Sequence, residues 1–133
     1  MGVCSSRGNI PQEEVYDKST IDIDRLETEL GDIDFVKELL IETKIAIKTN
    51  LADLHGAIRC KDYVTIILCS HSIKGIALSM KTDDIRQFSS IIEDQGRGAT
   101  NGTPLDKSYC LETYEKLSKS IDTLNRFQEQ YCA

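Results

Sequence analysis

The chain has 133 residues, five cysteines, no tryptophan and a formal net charge of −6. Its length suits one hydrophobic core rather than two, and its acidic balance argues against nucleic-acid binding, which requires a basic face. Apolar residues make up 40% of the chain without alternating β-branched runs, so we expect one all-α domain.

The chain starts with MGVCSS, which fits the pattern for N-myristoylation of Gly2 after removal of the initiator methionine. A single myristoyl chain binds membranes only marginally, so stable anchoring needs a second signal, which palmitoylation of Cys4 would supply. We therefore expect residues 1–18 to be an acylated, flexible N-terminal tether and residues 19–133 to be the folded domain. This interpretation predicts a protein at the cytoplasmic face of a membrane. The alternative is an unmodified N-terminus and a cytosolic protein.

A short helix and then a long one are predicted after the tether. Thr20 or Asp22 can cap the short helix, and Gly31 can end it. Asp32 or Asp34 then begins the longest predicted helix. Its apolar positions recur at spacings of three and four residues, the period of a helix with one buried face. These inward positions are Val36, Leu40, Thr43, Ile47, Leu51, Leu54 and Ile58.

Two further helices follow a break in the pattern. Asp62 can cap the third helix, of which one face suits a bundle core. That face consists of Ile66, Cys69, Ser70, Ile73, Ala77 and Met80. Thr82 then begins a fourth helix with Ile85, Phe88 and Ile92 pointing inward. No segment of the chain reaches the run of about 18 apolar residues that a membrane-spanning helix needs.

Three closely spaced glycines predict a loop over residues 94–104. Thr103 and Pro104 then suit the N-cap and the first residue of a last helix. The inward face of that helix consists of Cys110, Tyr114, Leu117, Ile121, Leu124 and Tyr131. These patterns together predict an antiparallel four-helix bundle with a short extra N-terminal helix, which we expect to be monomeric.

The third helix has a second face, on which Lys74 and Gly75 follow His71 at helical spacing. Imidazole is a good nucleophile near neutral pH and could accept a phosphoryl group. Lys74 would stabilise the charge on the phosphoryl oxygens, and Gly75 would leave room for an incoming loop. The apolar residues of this face could dock a partner protein: Val64, Ile67 and Leu78.

The segment HSIKG, residues 71–75, resembles the His-x-Leu-Lys-Gly motif of histidine phosphotransfer domains, the four-helix phosphocarriers of two-component phosphorelays. Leu54 and Ala57 match the Leu-x-x-Ala turn that usually ends the preceding helix in this family. Asp62 matches an aspartate nine residues before the histidine. The resemblance covers roughly residues 20–131.

This resemblance implies that His71 accepts phosphate from a receiver-domain aspartate and passes it to another receiver. The implied partners are response-regulator receiver domains and a hybrid sensor histidine kinase, and the receiver would bind Mg²⁺. The chain itself would need no cofactor or metal ion, and it would be a phosphocarrier rather than a free-standing enzyme, since it has no room for a kinase domain. Two departures are Ile76, where the family prefers a small residue, and Lys81, where it prefers glycine. We therefore expect a tighter pocket with a more positive rim.

Two other interpretations stay open. A lipid-anchored helical adaptor would dock a receiver or another partner without carrying phosphate, and a purely structural bundle would bury His71 in its core. The other histidine, His55, lacks comparable neighbours and is expected on a helix surface. Glu93 and Asp94 suggest a solvated helix end. The cysteines form no C-x-x-C pair, which predicts reduced thiols.

Overall fold

The computed structural model describes residues 21–133, so the predicted tether with Gly2 and Cys4 lies outside the described residues. Residues 21–133 form five helices and no strand: α1 (Ile23–Leu30), α2 (Ile33–Cys60), α3 (Tyr63–Met80), α4 (Asp83–Thr100) and α5 (Lys107–Tyr131). Only two residues join α2 to α3 and α3 to α4, so the chain reverses direction at each of these turns. The prediction of an all-α bundle with a short extra N-terminal helix is confirmed.

Aspartate side chains cap the N-termini of four helices. The carboxylates of Asp22, Asp62 and Asp106 each accept the backbone N–H three residues further on, at 3.0–3.3 Å. Asp32 accepts the N–H of Asp34 at 2.9 Å. Each bond satisfies a backbone donor that has no partner within the helix, which fixes where these helices begin.

The interior of the bundle follows the predicted helical period. In α3 the buried residues are the ones that the sequence predicts: Ile66, Cys69, Ser70, Ile73, Ala77 and Met80. The α2 residues Thr43 and Leu51 and the α5 residue Tyr114 are only partly buried, at the edge of the core. Cys60, Cys69, Cys110 and Cys132 are free thiols in this part of the chain.

The short helix α1 closes one end of the bundle. Three apolar residues in and before it are almost completely buried: Ile21, Ile23 and Leu26. The backbone N–H of Asp22 donates to the carbonyl of Lys81 at 3.0 Å. The Tyr131 hydroxyl donates to the Glu27 carboxylate at 2.6 Å, which connects α1 to the end of α5. The extra helix is therefore part of the core.

The predicted loop over residues 94–104 is wrong for most of its length. α4 continues to Thr100, and the turn before α5 is correspondingly short. Asp106 rather than Thr103 caps α5, because its carboxylate reaches the N–H of Tyr109 at 3.0 Å. The residue before this cap, Leu105, is 8% exposed and belongs to the core.

Gly96 shows why the loop prediction failed. It lies inside α4 and packs against α3. A Cβ at this position would lie 2.9 Å from Cγ2 of Ile66, closer than real Cβ atoms come, and 3.0 Å from Cγ1 of Ile67, which is tighter than nearly all real contacts. The missing side chain thus lets α3 and α4 approach each other, and the glycine does not break the helix.

Within residues 21–133, α3 is long and apolar enough to cross a membrane by length and composition, with a mean hydropathy of 1.3 over 18 residues. The sequence analysis expected no unbroken run of about 18 apolar residues, and Ser70, His71, Ser72 and Lys74 do interrupt this segment, but the average hydropathy of α3 still meets the criterion. The feature is weak evidence for a membrane span, because the core helix of a soluble bundle also meets it. Here α3 packs against both α2 and α4.

Candidate functional site

His71 lies near the middle of α3 and points out from the flank of the bundle. Its side chain is 62% exposed, and its Nδ1 atom lies 3.1 Å from Oε2 of Glu93 on α4. This exposure does not fit the interpretation in which a structural histidine is buried in the core.

Glu93 is the buried centre of the site, with a side chain only 3% exposed. Its Oε1 atom forms an ion pair with Nζ of Lys74 at 2.8 Å. Its Oε2 atom accepts hydrogen bonds from Nε and Nη2 of Arg97 at 2.8 and 2.6 Å. One carboxylate therefore holds three basic side chains, and we call His71, Lys74, Glu93 and Arg97 the carboxylate cluster.

The charge state of Glu93 follows from these contacts. Burial raises the pKa of its carboxyl group, but the contacts with Lys74, Arg97 and His71 lower it more, so that the pKa is about 2. Glu93 is thus ionised at neutral pH and can only accept hydrogen bonds. The hydrogen in the contact with His71 must therefore be on Nδ1. In the neutral ring this leaves the lone pair on Nε2, the nitrogen that Glu93 does not engage.

An open groove of about 550 Å³ lies between α2 and α3 beside the histidine ring. The polar groups of Thr43, Asn50 and Ser72 line it together with His71 and Gly75. A Cβ at Gly75 would meet no other atom within 4 Å, so the glycine leaves open space rather than accommodating a close packing contact. The groove gives a second molecule a path to the ring.

The two departures from the family motif have different surroundings. Ile76 is partly buried and lines the groove. Lys81 ends α3 in the left-handed conformation with φ 58, where a glycine would avoid backbone strain. Its Nζ atom pairs with Oε1 of Glu29 on α1 at 3.1 Å. The positive charge of Lys81 is thus paired with α1. Lys81 therefore does not form the positive rim that was expected beside His71.

The predicted docking residues are exposed to different degrees. Val64 and Leu78 are 63% and 54% exposed, whereas Ile67 is partly buried beside Gly96. Leu68, which the sequence analysis did not select, is 62% exposed and lies one turn from Val64. The apolar face around His71 is therefore formed mainly by Val64, Leu68 and Leu78, and we call these three residues the apolar face.

His55 is not simply a surface residue. Its side chain is partly buried, and its ring centroid lies 4.9 Å from that of Tyr114 on α5. No acidic side chain pairs with it among the described residues. The two histidines thus differ: His55 packs between helices, and His71 is exposed beside charged groups.

Glu93 and Arg97 were not predicted as site residues, because Glu93 was expected at a solvated helix end, just before a predicted loop. The available signal was the spacing of the two residues, since an acidic and a basic residue four positions apart face the same side of a helix. That spacing carries information only if α4 continues to residue 97.

Comparisons of the chain with protein-family models, with curated proteins and with solved structures find no match. The functional interpretation therefore depends on the geometry of the carboxylate cluster and on the motif around His71.

Proposed function

We propose that this protein is a phosphorelay intermediate that accepts phosphate on Nε2 of His71 from a receiver-domain aspartate and passes it to another receiver. The observation that carries the proposal is the exposed His71 ring, hydrogen-bonded through Nδ1 to a buried, ionised Glu93. This contact supports a nucleophilic Nε2, because it occupies the other ring nitrogen with a proton.

In the proposed transfer, the Nε2 lone pair attacks the phosphorus of the receiver's aspartyl phosphate. The P–N bond forms while the P–O bond breaks, and the aspartate carboxylate leaves. Lys74 supplies charge stabilisation on this chain, and a Mg²⁺ ion bound by the receiver would supply it on the partner. Lys74 is suited to this role because it lies one helical turn from His71. Its Nζ atom is held 2.8 Å from Oε1 of Glu93, the residue that also contacts the histidine.

The proposed docking site for the receiver is the groove between α2 and α3 together with the apolar face. The open space at Gly75 supports this, because the partner must bring its aspartate to the ring. The exposed side chains Leu68 and Leu78 supply apolar surface near the reaction centre.

We also propose that the protein is anchored to a membrane. Acylation of Gly2 and Cys4 would hold the protein at the cytoplasmic face of a membrane, where it could meet a hybrid sensor histidine kinase. The support for this part is the N-terminal sequence motif alone.

The central test replaces His71 with glutamine. His71→Gln keeps roughly the size of the ring but removes its nucleophilic nitrogen, so we expect complete loss of phosphate acceptance from a phosphorylated receiver of the same genome. His55→Gln is the matched control and should accept phosphate as the wild type does. The measurement is acid-labile, base-stable radioactive phosphate on this chain. Equal labelling of wild type and His71→Gln would refute the site assignment.

An adaptor that docks a partner without carrying phosphate is a second candidate. The observation that favours it is the apolar face itself, which would serve docking whether or not phosphate moves. A cognate receiver that binds the wild-type protein, is released by Leu78→Asp and never transfers phosphate would establish the adaptor in place of the phosphocarrier.

A further inference from the structure

Phosphorylation of His71 would reverse the charge balance around its ring. In the carboxylate cluster the negative Glu93 faces the positive Lys74 and Arg97, so the three groups carry a net charge of about one positive unit. A phosphoryl group adds a charge of about −2 at neutral pH. The surroundings of the phosphorylated ring are therefore negative by about one unit, which favours a proton on the ring.

The position of that proton is set by the geometry of Glu93. The neutral ring that attacks phosphorus through Nε2 already carries a hydrogen on Nδ1, so the first product is a phosphorylated imidazolium. In water an imidazolium with an ordinary pKa gives up this proton above neutral pH. Here Oε2 of Glu93 lies 3.1 Å from Nδ1, and its ionised carboxylate is a strong acceptor for that proton.

Among residues 21–133, the groove beside the ring is lined by no charged side chain other than His71 itself. On α2 the residues that line the groove beside the ring are Leu39, Thr43 and Asn50, all of them uncharged. On α3 and α4, Glu93 contacts the ring, and Lys74 and Arg97 pair with Glu93.

We propose that Glu93 keeps Nδ1 of phosphorylated His71 protonated and thereby makes the phosphohistidine a fast, short-lived phosphate donor. This inference rests on the proposed function and concerns its second step, the loss of phosphate from His71. When the P–N bond breaks, its electron pair returns to Nε2, and the phosphoryl group moves to a carboxylate oxygen of the next receiver or to water. A protonated ring leaves as neutral imidazole, which is a better leaving group than the imidazolate that an unprotonated ring would become. Glu93 acts here as a positioning residue.

The test compares the lifetime of the phosphohistidine in the wild type and in Glu93→Gln. Both proteins are phosphorylated chemically with phosphoramidate, so no receiver is needed. The loss of the ³¹P signal of phosphohistidine is then followed between pH 6 and pH 9. Because a hydrogen bond to a charged group is worth one to two pKa units, we expect the wild type to lose phosphate about tenfold faster than Glu93→Gln at pH 8. Asp94→Asn removes a neighbouring, exposed charge from the same helix and should match the wild type.

A second measurement holds even if Glu93→Gln fails to fold. In ¹⁵N NMR spectra of the phosphorylated wild type at pH 8, Nδ1 of His71 should have the chemical shift of a protonated ring nitrogen. An unprotonated Nδ1 in the wild type, or equal lifetimes in a folded Glu93→Gln, would overturn the inference. Failure of every receiver to exchange phosphate with His71 would instead refute the proposed function, since the chemically loaded proteins would still report their lifetimes.

Discussion

Glu93 and Asp94 show how strongly burial changes the role of an acidic residue. They are adjacent in sequence and similar in chemistry, yet Asp94 is exposed and the side chain of Glu93 is only 3% exposed. A buried carboxylate must be paired to remain ionised, and the partners of Glu93 come from two helices. The site thus depends on one residue that is largely hidden from solvent.

The depressed pKa of Glu93 predicts a specific sensitivity to acid. A carboxyl group whose pKa falls from about 4.5 to about 2 on folding stabilises the folded state above about pH 4.5, and this stabilisation is lost as the pH falls towards 2. Its full size is roughly 3 kcal/mol. We therefore expect the free energy of unfolding to fall more steeply between pH 6 and pH 2.5 in the wild type than in Glu93→Gln, as measured by urea denaturation.

Other carboxylates also titrate in this range, so the comparison needs a control that removes a charge without removing the cluster. Asp94→Asn serves this purpose and should keep the acid sensitivity of the wild type. Identical pH dependence in wild type and Glu93→Gln would show that Glu93 does not stabilise the folded state through its charge.

The helices were predictable from the sequence where their buried residues recur at the spacing of a helix. The inward faces of α2, α3 and α5 follow spacings of three and four residues, and the predicted α3 face is confirmed residue by residue. The end of α4 was not predictable from glycine content, because glycine has two uses: it frees the backbone, and it removes a side chain. The buried series Ile85, Ser89, Ile92 and Gly96 continues the helical spacing and indicates the second use.

The residues of the site were predictable only where they lie close together in the sequence. His71, Lys74 and Gly75 lie within two helical turns, so helix geometry alone places them together. Glu93 lies 22 residues beyond His71, and its contact depends on how α3 and α4 pack. Periodicity specifies that two faces are buried, but it does not specify which polar residues meet at the edge of the contact.

The close contact between α3 and α4 predicts that Gly96→Ala destabilises the protein. Alanine would gain about 1 kcal/mol of helix propensity, but its Cβ would collide with Ile66 and Ile67. Since overpacking typically costs about 1–3 kcal/mol, we expect a net loss of up to about 2 kcal/mol in the free energy of unfolding, measured by chemical denaturation.

Gly56→Ala is the matched control for this prediction. Gly56 is also inside a helix, but a Cβ there would meet no atom within 4 Å, so alanine should stabilise the protein by about 0.5–1 kcal/mol. A stabilising effect of Gly96→Ala as well would show that α3 and α4 are not packed as closely as described.

At the scale of the whole molecule, we expect that variants can change the cellular location of the protein without changing its folded structure. If acylation of Gly2 anchors the protein, Gly2→Ala should move it from the membrane fraction to the cytosol. Cys4→Ser should leave weak, reversible membrane binding, because one myristoyl chain is a marginal anchor. Circular dichroism and thermal stability should not change in either variant. Cell fractionation with mass spectrometry of the N-terminal peptide provides the measurement, and an unmodified glycine amine on membrane-bound protein would contradict the prediction.

The carboxylate cluster lies entirely in the hairpin formed by α3 and α4, residues 63–100, whereas α2 supplies the opposite wall of the groove. In the proposed function, the reacting histidine and its charged neighbours thus come from one hairpin, while the docking surface combines this hairpin with α2. In the proposed function, substitutions on the α2 wall, such as at Thr43 or Asn50, would change the surface offered to a receiver without disturbing the bonds to Glu93. Copies of this protein that differ only on the α2 wall would then differ in the receivers they bind, while the bonds to Glu93 stay the same.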